Sequence, residues 1–218
     1  MKTYLMIVTL IFTALSAQAQ KEPRLFRILE ALPDTAVFGS LPLETRQKLI
    51  DRHKKGVNDP NLPPYLYLET VDHGNGYLKM GGAIEGSWDM CYWKISENSF
   101  LVVTNTFVCS TLCDWGELQF YYYDDEKITA APIDKVIPDY ANLADYFIKP
   151  QHKQFLLMES DDYHPFVEFE IPRRGKDIKV KFISNDGQDD FWYEAIYGTE
   201  MTLHWQKAQG VFLAGEID

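Results

Sequence analysis

The sequence predicts an α+β fold, built mostly from antiparallel β-meander sheets with a few covering helices. Short apolar or alternating runs, separated by turn residues, fill most of the chain. The turns are too short for parallel crossovers, so neighbouring strands must pair antiparallel. Helical periodicity is confined to a few short segments.

Residues 76–130 form the organising stretch, a predicted meander. Asn75-Gly76 is a strong hairpin signal, because both residues tolerate positive φ. Residues 87–95 are apolar on both faces, which predicts a central strand covered on both sides. Residues 100–108 and 118–123 follow as further strands, the first of them rich in β-branched residues.

The second half contains the clearest register prediction. Strands 164–171 and 177–183 flank a turn at Arg174-Gly175. That turn aligns apolar residues on one face and opposite charges on the other. The predicted pairs are Ile171 with Ile178, Phe169 with Val180, Val167 with Phe182, Glu170 with Lys179, and Glu168 with Lys181.

Three helices are predicted from apolar spacing and end signals, over residues 24–32, 42–55 and 138–147. Residues 1–19 have the short charged start, apolar run and small-x-small end of a secretory signal peptide. We therefore expect a signal peptide at 1–19, helices and meander at 20–148, and a second β-rich half at 149–218. The boundary near 148 is soft, and the two halves are also compatible with one domain.

The formal net charge is -11. This acidic balance disfavours nucleic acid, because phosphate contacts need a basic surface. After residue 19 no stretch is long and apolar enough for a membrane helix. We expect an exported protein, periplasmic or extracellular, without a membrane span in the mature chain.

The chain has 3 cysteines. Cys109 and Cys113 flank a short loop and are predicted to form a disulfide, with three reduced cysteines as the alternative. Cys91 lies in mid-strand and is predicted to be a buried thiol. The C-x-x-x-C spacing lacks the geometry of a redox motif.

No catalytic residue, metal site or cofactor is predicted. The histidines have no zinc-site spacing, and no G-x-S-x-G elbow is present. His73 beside Asp72 is the most site-like histidine, although a solvated turn explains it better. Residues 185–190 offer oxygen ligands for calcium but lack EF-hand spacing, so a plain polar loop explains them better.

Aromatic residues make up 14% of the chain. Trp88 and Tyr92 share one strand face, and Tyr121 and Tyr123 share another. Such faces bind sugars or protein partners through flat apolar area with a polar edge. An aromatic core with cross-strand contacts nevertheless explains these faces better. These four residues are the candidate ligand-binding aromatics.

The order of segments within residues 41–130 resembles a family of exported proteins of unknown function from Bacteroidetes-type bacteria. The segments are LPLETR at 41–46, GYLKM at 76–80, EGSWDM at 85–90, LVVTNT at 101–106, Cys109 and Cys113, and LQFY at 118–121. The resemblance implies export and a β-rich fold. It brings no activity.

These observations predict an exported, non-catalytic binding or accessory protein of the cell envelope. Its partner would be an unknown glycan or an envelope protein. The alternative is an exported hydrolase with a dispersed carboxylate or His73-centred site. A deep pocket at His73 or at paired acids would favour the enzyme.

Overall fold

The computed structural model describes residues 22–38, 40–56, 62, 66–83, 86–109, 113–153, 166–183 and 194–218. At positions 83, 108, 109, 113–117 and 166 it describes the backbone alone. The predicted signal peptide and the 185–190 loop lie outside these residues. No helix in the described ranges combines the length and apolar character needed to cross a bilayer.

The first sheet is a six-stranded antiparallel meander in which each strand pairs with its neighbours in sequence. This confirms the predicted architecture of residues 76–130. The alternating run at 65–71, which also predicts a strand that enters this sheet, forms the strand before it. The strands are β1 (Tyr67–Asp72), β2 (Tyr77–Ala83), β3 (Gly86–Lys94), β4 (Ser99–Cys109), β5 (Cys113–Asp124) and β6 (Lys127–Ala131).

The second sheet has four antiparallel strands, again in sequence order. They are β7 (Phe166–Glu170), β8 (Ile178–Ile183), β9 (Glu200–Gln206) and β10 (Val211–Ile217). The β7–β8 register is the predicted one, with Phe169 opposite Val180 and Glu168 opposite Lys181. The ion pair runs diagonally instead, from Lys181 to Glu170 at 3.1 Å.

Two N-terminal helices, α1 (Arg24–Ala31) and α2 (Leu43–Lys55), match their predicted positions. Gly56 ends α2 in the left-handed conformation at φ 63°, which glycine adopts without a Cβ clash. Arg46 joins the two helices. Its Nη1 donates to the carbonyl oxygens of Leu29 at 2.6 Å and Leu32 at 2.7 Å, at the C-terminal end of α1.

The third predicted helix, over residues 138–147, is shorter than expected. Asn142 has a non-helical φ of -112°, which separates a 3-10 turn (Tyr140–Asn142) from α4 (Leu143–Phe147). The short helix α3 (Ile133–Val136), which begins after Pro132, was not predicted. Further 3-10 turns span Asp34–Ala36 and Pro150–His152.

The first sheet lies between two apolar layers, as the strand pattern of residues 87–95 predicted. On one face, α1 and α2 pack against Leu78, Trp88 and Met90. On the other face, the second sheet and α4 pack against Leu101 and Phe120. Alternate residues of one strand therefore enter different cores, one on the helical face and one on the inter-sheet face.

Candidate functional site

The inter-sheet cavity, with a volume of about 260 Å³, opens at one end of the layer between the two sheets. The turns β1–β2 and β7–β8 form its walls, together with the ends of β3 and β9. Its lining residues are Gly74, Asn75, Cys91, Tyr92, Trp93, Lys94, Pro172, Gly175, Lys176, Trp205 and Lys207.

Two indole rings form the aromatic part of this cavity. The ring centroids of Trp93 and Trp205 are 5.8 Å apart, and Trp205 also packs on buried Phe212 at 4.9 Å. Trp93 Nε1 donates to the Lys176 carbonyl at 2.8 Å, which fixes the β7–β8 turn against β3. Within the described residues, Trp205 Nε1 has no hydrogen-bond partner. It is a free donor at a partly exposed ring.

Asp72 holds the two turns together. Its carboxylate accepts hydrogen bonds from the backbone N–H and side-chain amide of Asn75, at 3.1 and 3.0 Å. Arg173, which lies in the β7–β8 turn, donates from Nε to the same carboxylate at 3.2 Å. The Asn75 bonds and then Arg173 lower the pKa of Asp72 to about 2, so it is ionised at neutral pH.

The lining of the inter-sheet cavity carries three lysines, Lys94, Lys176 and Lys207. None of the three forms an ion pair with another described residue. No aspartate or glutamate is among the described lining residues. Arg173 is paired with Asp72 at 3.2 Å. Asp177, just outside the lining, accepts a hydrogen bond from the Trp205 backbone N–H at 2.9 Å and lies 3.1 Å from His204. The three lysines are therefore the lining cations that have no ion-pair partner among the described residues.

The helix-side cavity has the same volume, about 260 Å³, on the opposite face of the first sheet. Arg24 lies 4.1 Å from the centroid of the Phe100 ring, and Arg27 pairs with Glu126 at 2.8 Å. Asn98, Tyr123 and Asp125 complete its lining. Its two cations therefore face two anions.

Three of the four candidate aromatics lie in the helical-face core. Trp88 is 0% exposed, and its Nε1 donates to the Ala36 carbonyl at 2.8 Å. Tyr121 is buried and donates to Gln119 Oε1 at 2.6 Å. The expected open aromatic face is thus covered for these rings, because α1 and α2 pack on it.

Tyr123 and Tyr92 each reach a cavity. Tyr123 lines the helix-side cavity with 3% exposure, and its hydroxyl has no partner among the described residues. Burial raises the pKa of Tyr123. Tyr92 lines the inter-sheet cavity, although its ring packs edge-on to Phe100 at 5.5 Å on the helical face.

A polar cluster lies on the inter-sheet face around Asp89. Tyr77 Oη donates to Asp89 Oδ2 at 3.0 Å. Asn105, opposite Asp89 in β4, donates to the Phe169 carbonyl at 3.0 Å and so ties the two sheets. Burial raises the pKa of Asp89 to about 7, against the lowering effect of the Tyr77 bond and of Lys79. Asp89 lines neither of the two cavities.

The histidine alternative has less support. His73 packs edge-on to the Phe26 ring at 4.9 Å and lines neither cavity. His204 points outward and lies 3.1 Å from Asp177. Among the described residues, no group of three potential ligands could hold a metal ion.

The cysteines fall in two environments. Cys91 is a buried free thiol, as predicted. Cys109 and Cys113 are directly opposite each other in the β4–β5 ladder. Their side chains lie outside the described residues, so the predicted bond between them stays a prediction.

Sequence reasoning missed Trp93, Trp205 and the three lysines as site residues. Trp205 alternates with Leu203 in one strand, and that pattern predicts a core position for both residues. The available signal was the position of Lys94, Lys176 and Lys207 at strand ends or turns beside tryptophan-bearing strands.

No family model matches this chain. No curated protein matches it either. Among solved structures, it is similar to a domain of an uncharacterized protein from Porphyromonas gingivalis W83, with a TM-score of 0.57 and 12% sequence identity. The alignment covers 88% of this chain and 96% of that one. The two share a fold. At this identity the similarity extends to the fold alone. The solved domain comes from a member of the Bacteroidetes, which agrees loosely with the resemblance found in the sequence.

Proposed function

We propose that this chain is an exported, non-catalytic protein of the cell envelope that binds a glycan in the inter-sheet cavity. The observation that carries the proposal is the partly exposed Trp205 ring, which lies against the buried Trp93 ring and beside the lysine side chains of the cavity wall. Sugar rings pack their apolar C–H faces on aromatic rings and use their hydroxyls at the polar edge. Trp205 provides both a ring face and an indole Nε1–H that has no hydrogen-bond partner among the described residues, whereas its backbone N–H donates to Asp177.

The size of the cavity limits what it holds. Pockets for drug-sized ligands span about 300–1,000 Å³, whereas this cavity has about 260 Å³. A single sugar ring or the end of a glycan chain fits that volume. A large protein partner would instead need an extended surface.

The test is a thermal-shift screen of the purified protein against envelope and host glycans. A ligand that binds only the folded state raises the melting temperature by mass action. We expect a hit whose affinity falls about tenfold or more in Trp205→Leu. Tyr197→Leu is the matched control, because Tyr197 is a 60% exposed aromatic and lies outside the cavity lining.

A glycan hit with equal affinity for wild type and Trp205→Leu would contradict this location. A complete absence of glycan hits, together with a stable complex with an envelope protein, would replace the glycan with the other predicted partner.

Export and the disulfide are proposed together and share one measurement. Cys109 and Cys113 are placed opposite each other, which is the arrangement a cross-strand bond requires. The intact mass of protein recovered from the cell envelope should lack residues 1–19 and two thiol hydrogens. A mass that retains residues 1–19 would contradict export by signal-peptide cleavage. Three alkylatable cysteines after denaturation would contradict the disulfide.

The hydrolase alternative would use Asp89 as its carboxylate, although Asp89 lines neither cavity and a substrate would have to reach it by another route. A carboxyl group with a pKa of about 7 suits general acid–base chemistry near neutral pH. An assay for reducing ends released from the same glycans tests this alternative. Turnover that disappears in Asp89→Asn, while binding persists, would favour the enzyme over the binding protein.

A further inference from the structure

The inter-sheet cavity also indicates which glycans it selects. Its described lining contains three lysines and no acidic side chain. The protein as a whole carries a net charge of -11. A cluster of uncompensated cations around one cavity therefore differs from the average surface of this molecule.

The positions of the three lysines indicate a ligand whose negative charge lies at the opening of the cavity. Lys94 is at the end of β3, Lys176 is in the β7–β8 turn, and Lys207 follows β9. The three come from separate segments and meet at one opening. None of them forms an ion pair with a described residue, so each can pair with a ligand.

The neighbouring cation, Arg173, differs from the three lysines because it has an ion-pair partner. Arg173 lies in the same β7–β8 turn but is paired with Asp72 at 3.2 Å. That pair connects the two turns, whereas the lysines are left without partners. The fold thus uses Arg173 for structure and leaves the three lysine charges at the cavity.

We propose that the inter-sheet cavity binds acidic glycans, with the lysines pairing the carboxylates of uronic-acid-type sugars while the partly exposed Trp205 packs on a sugar ring, supported from behind by buried Trp93. This inference rests on the proposed function. Carboxylates and lysines form charge-assisted hydrogen bonds, and such bonds are stronger than those between neutral groups. Attraction between exposed charges also weakens as salt rises.

The experiment compares two probes that differ in charge and otherwise only by the two ester methyl groups. The first is a galacturonic acid disaccharide, and the second is the same disaccharide with both carboxyls methyl-esterified. We expect the acid to bind the purified mature protein about tenfold more tightly at low salt. The difference should shrink at high ionic strength.

The variants locate the effect. A triple Lys94→Gln, Lys176→Gln, Lys207→Gln variant should lose the preference for the acid and keep its weak binding of the ester. The control carries Lys55→Gln, Lys127→Gln and Lys135→Gln, three exposed lysines outside the cavity with the same change in net charge. It should keep the full preference.

The outcomes separate the two proposals. Equal binding of both probes, lost together in Trp205→Leu, would overturn the acidic selectivity and leave glycan binding intact. Equal loss of preference in the two triple variants would assign the effect to overall charge and overturn the lysine site. Binding of neither probe would overturn the acidic-glycan inference, while a hit for a neutral glycan in the wider screen would preserve the proposed function.

Discussion

Polar side chains on the two faces of the first sheet differ in whether they have hydrogen-bond or ion-pair partners within the protein. On the helical face, Arg46 and Trp88 are buried and donate to backbone carbonyls of the N-terminal segment. On the inter-sheet face, the described residues provide no hydrogen-bond partner for the Trp205 indole Nε1–H and no ion-pair partner for the three lysines around it. Polar groups on the helical face mainly serve stability, and the unpartnered groups on the inter-sheet face remain available to a ligand.

The two cavities show the same contrast at equal volume. In the helix-side cavity, Arg27 and Glu126 form an ion pair, and Arg24 packs on Phe100. In the inter-sheet cavity, the three lysines have no ion-pair partner among the described residues, and the indole rings are those of Trp93 and Trp205. Charge pairing, and not size, is what distinguishes the proposed binding site from the other cavity.

The largest expected effect is on the helical face. In Arg46→Met, the Leu29 and Leu32 carbonyls lose their donor and Asp34 loses its partner at 2.5 Å. Each buried carbonyl left without a donor typically costs about 1–3 kcal/mol, whereas the loss at half-exposed Asp34 adds little. Urea unfolding should therefore show a large loss of stability, with ligand affinity unchanged in the folded variant. Lys55→Met, an exposed change on the same helix, is the control, and a loss as small as the control's would contradict this role.

The next effect is the pH dependence of the inter-sheet face. Between the ordinary aspartate pKa of about 4 and the folded value of about 7, the folded protein retains a proton on Asp89 that the unfolded chain has released. The contribution of Asp89 to stability therefore falls as pH rises through that window, and it is constant above it.

Asp89→Asn keeps an acceptor for Tyr77 and removes this titration. Melting temperatures at pH 5 and pH 8 should show that wild type loses more stability than the variant on going to the higher pH. A parallel pH response in the two proteins would show that Asp89 is not held protonated in the folded state.

The smallest effect concerns Tyr123, a buried side chain on the helical face whose hydroxyl differs from the hydrogen-bonded groups around it. The Tyr123 hydroxyl is buried without a described partner, so it makes no described bond to offset its desolvation. Tyr123→Phe should leave the free energy of unfolding unchanged or raise it by up to about 1 kcal/mol. Tyr77→Phe, which removes the donor to Asp89, should instead lower stability. A comparable loss in both variants would mean that Tyr123 has a partner as well.

Local patterns predicted the sheets well, because each strand's information lies within the strand and its turn. The β7–β8 register followed from apolar and charged residues that align only one way around Arg174-Gly175. The two-sided burial of residues 87–95 followed from apolar residues on both faces. Cys91 was likewise predicted as a buried thiol.

The site was harder to predict because it depends on how the layers pack. Alternation showed that Trp88 and Trp93 point to opposite faces, but it did not show what covers each face. The helices cover Trp88, while Trp93 is at the edge of the inter-sheet layer beside Trp205, 112 positions further along the chain. Residues so distant in sequence meet only through packing of the second sheet on the first.

The most direct measurement is a ¹⁵N NMR titration of the indole N–H signals, using the acidic disaccharide. The chain has 5 tryptophans, and Trp205→Phe and Trp88→Phe variants assign the two signals that matter. The account predicts a saturable shift of the Trp205 signal, with the Trp88 signal unmoved in the helical-face core. A shift at Trp88 without one at Trp205, or saturable binding that moves neither signal, would contradict a ligand site on the inter-sheet face.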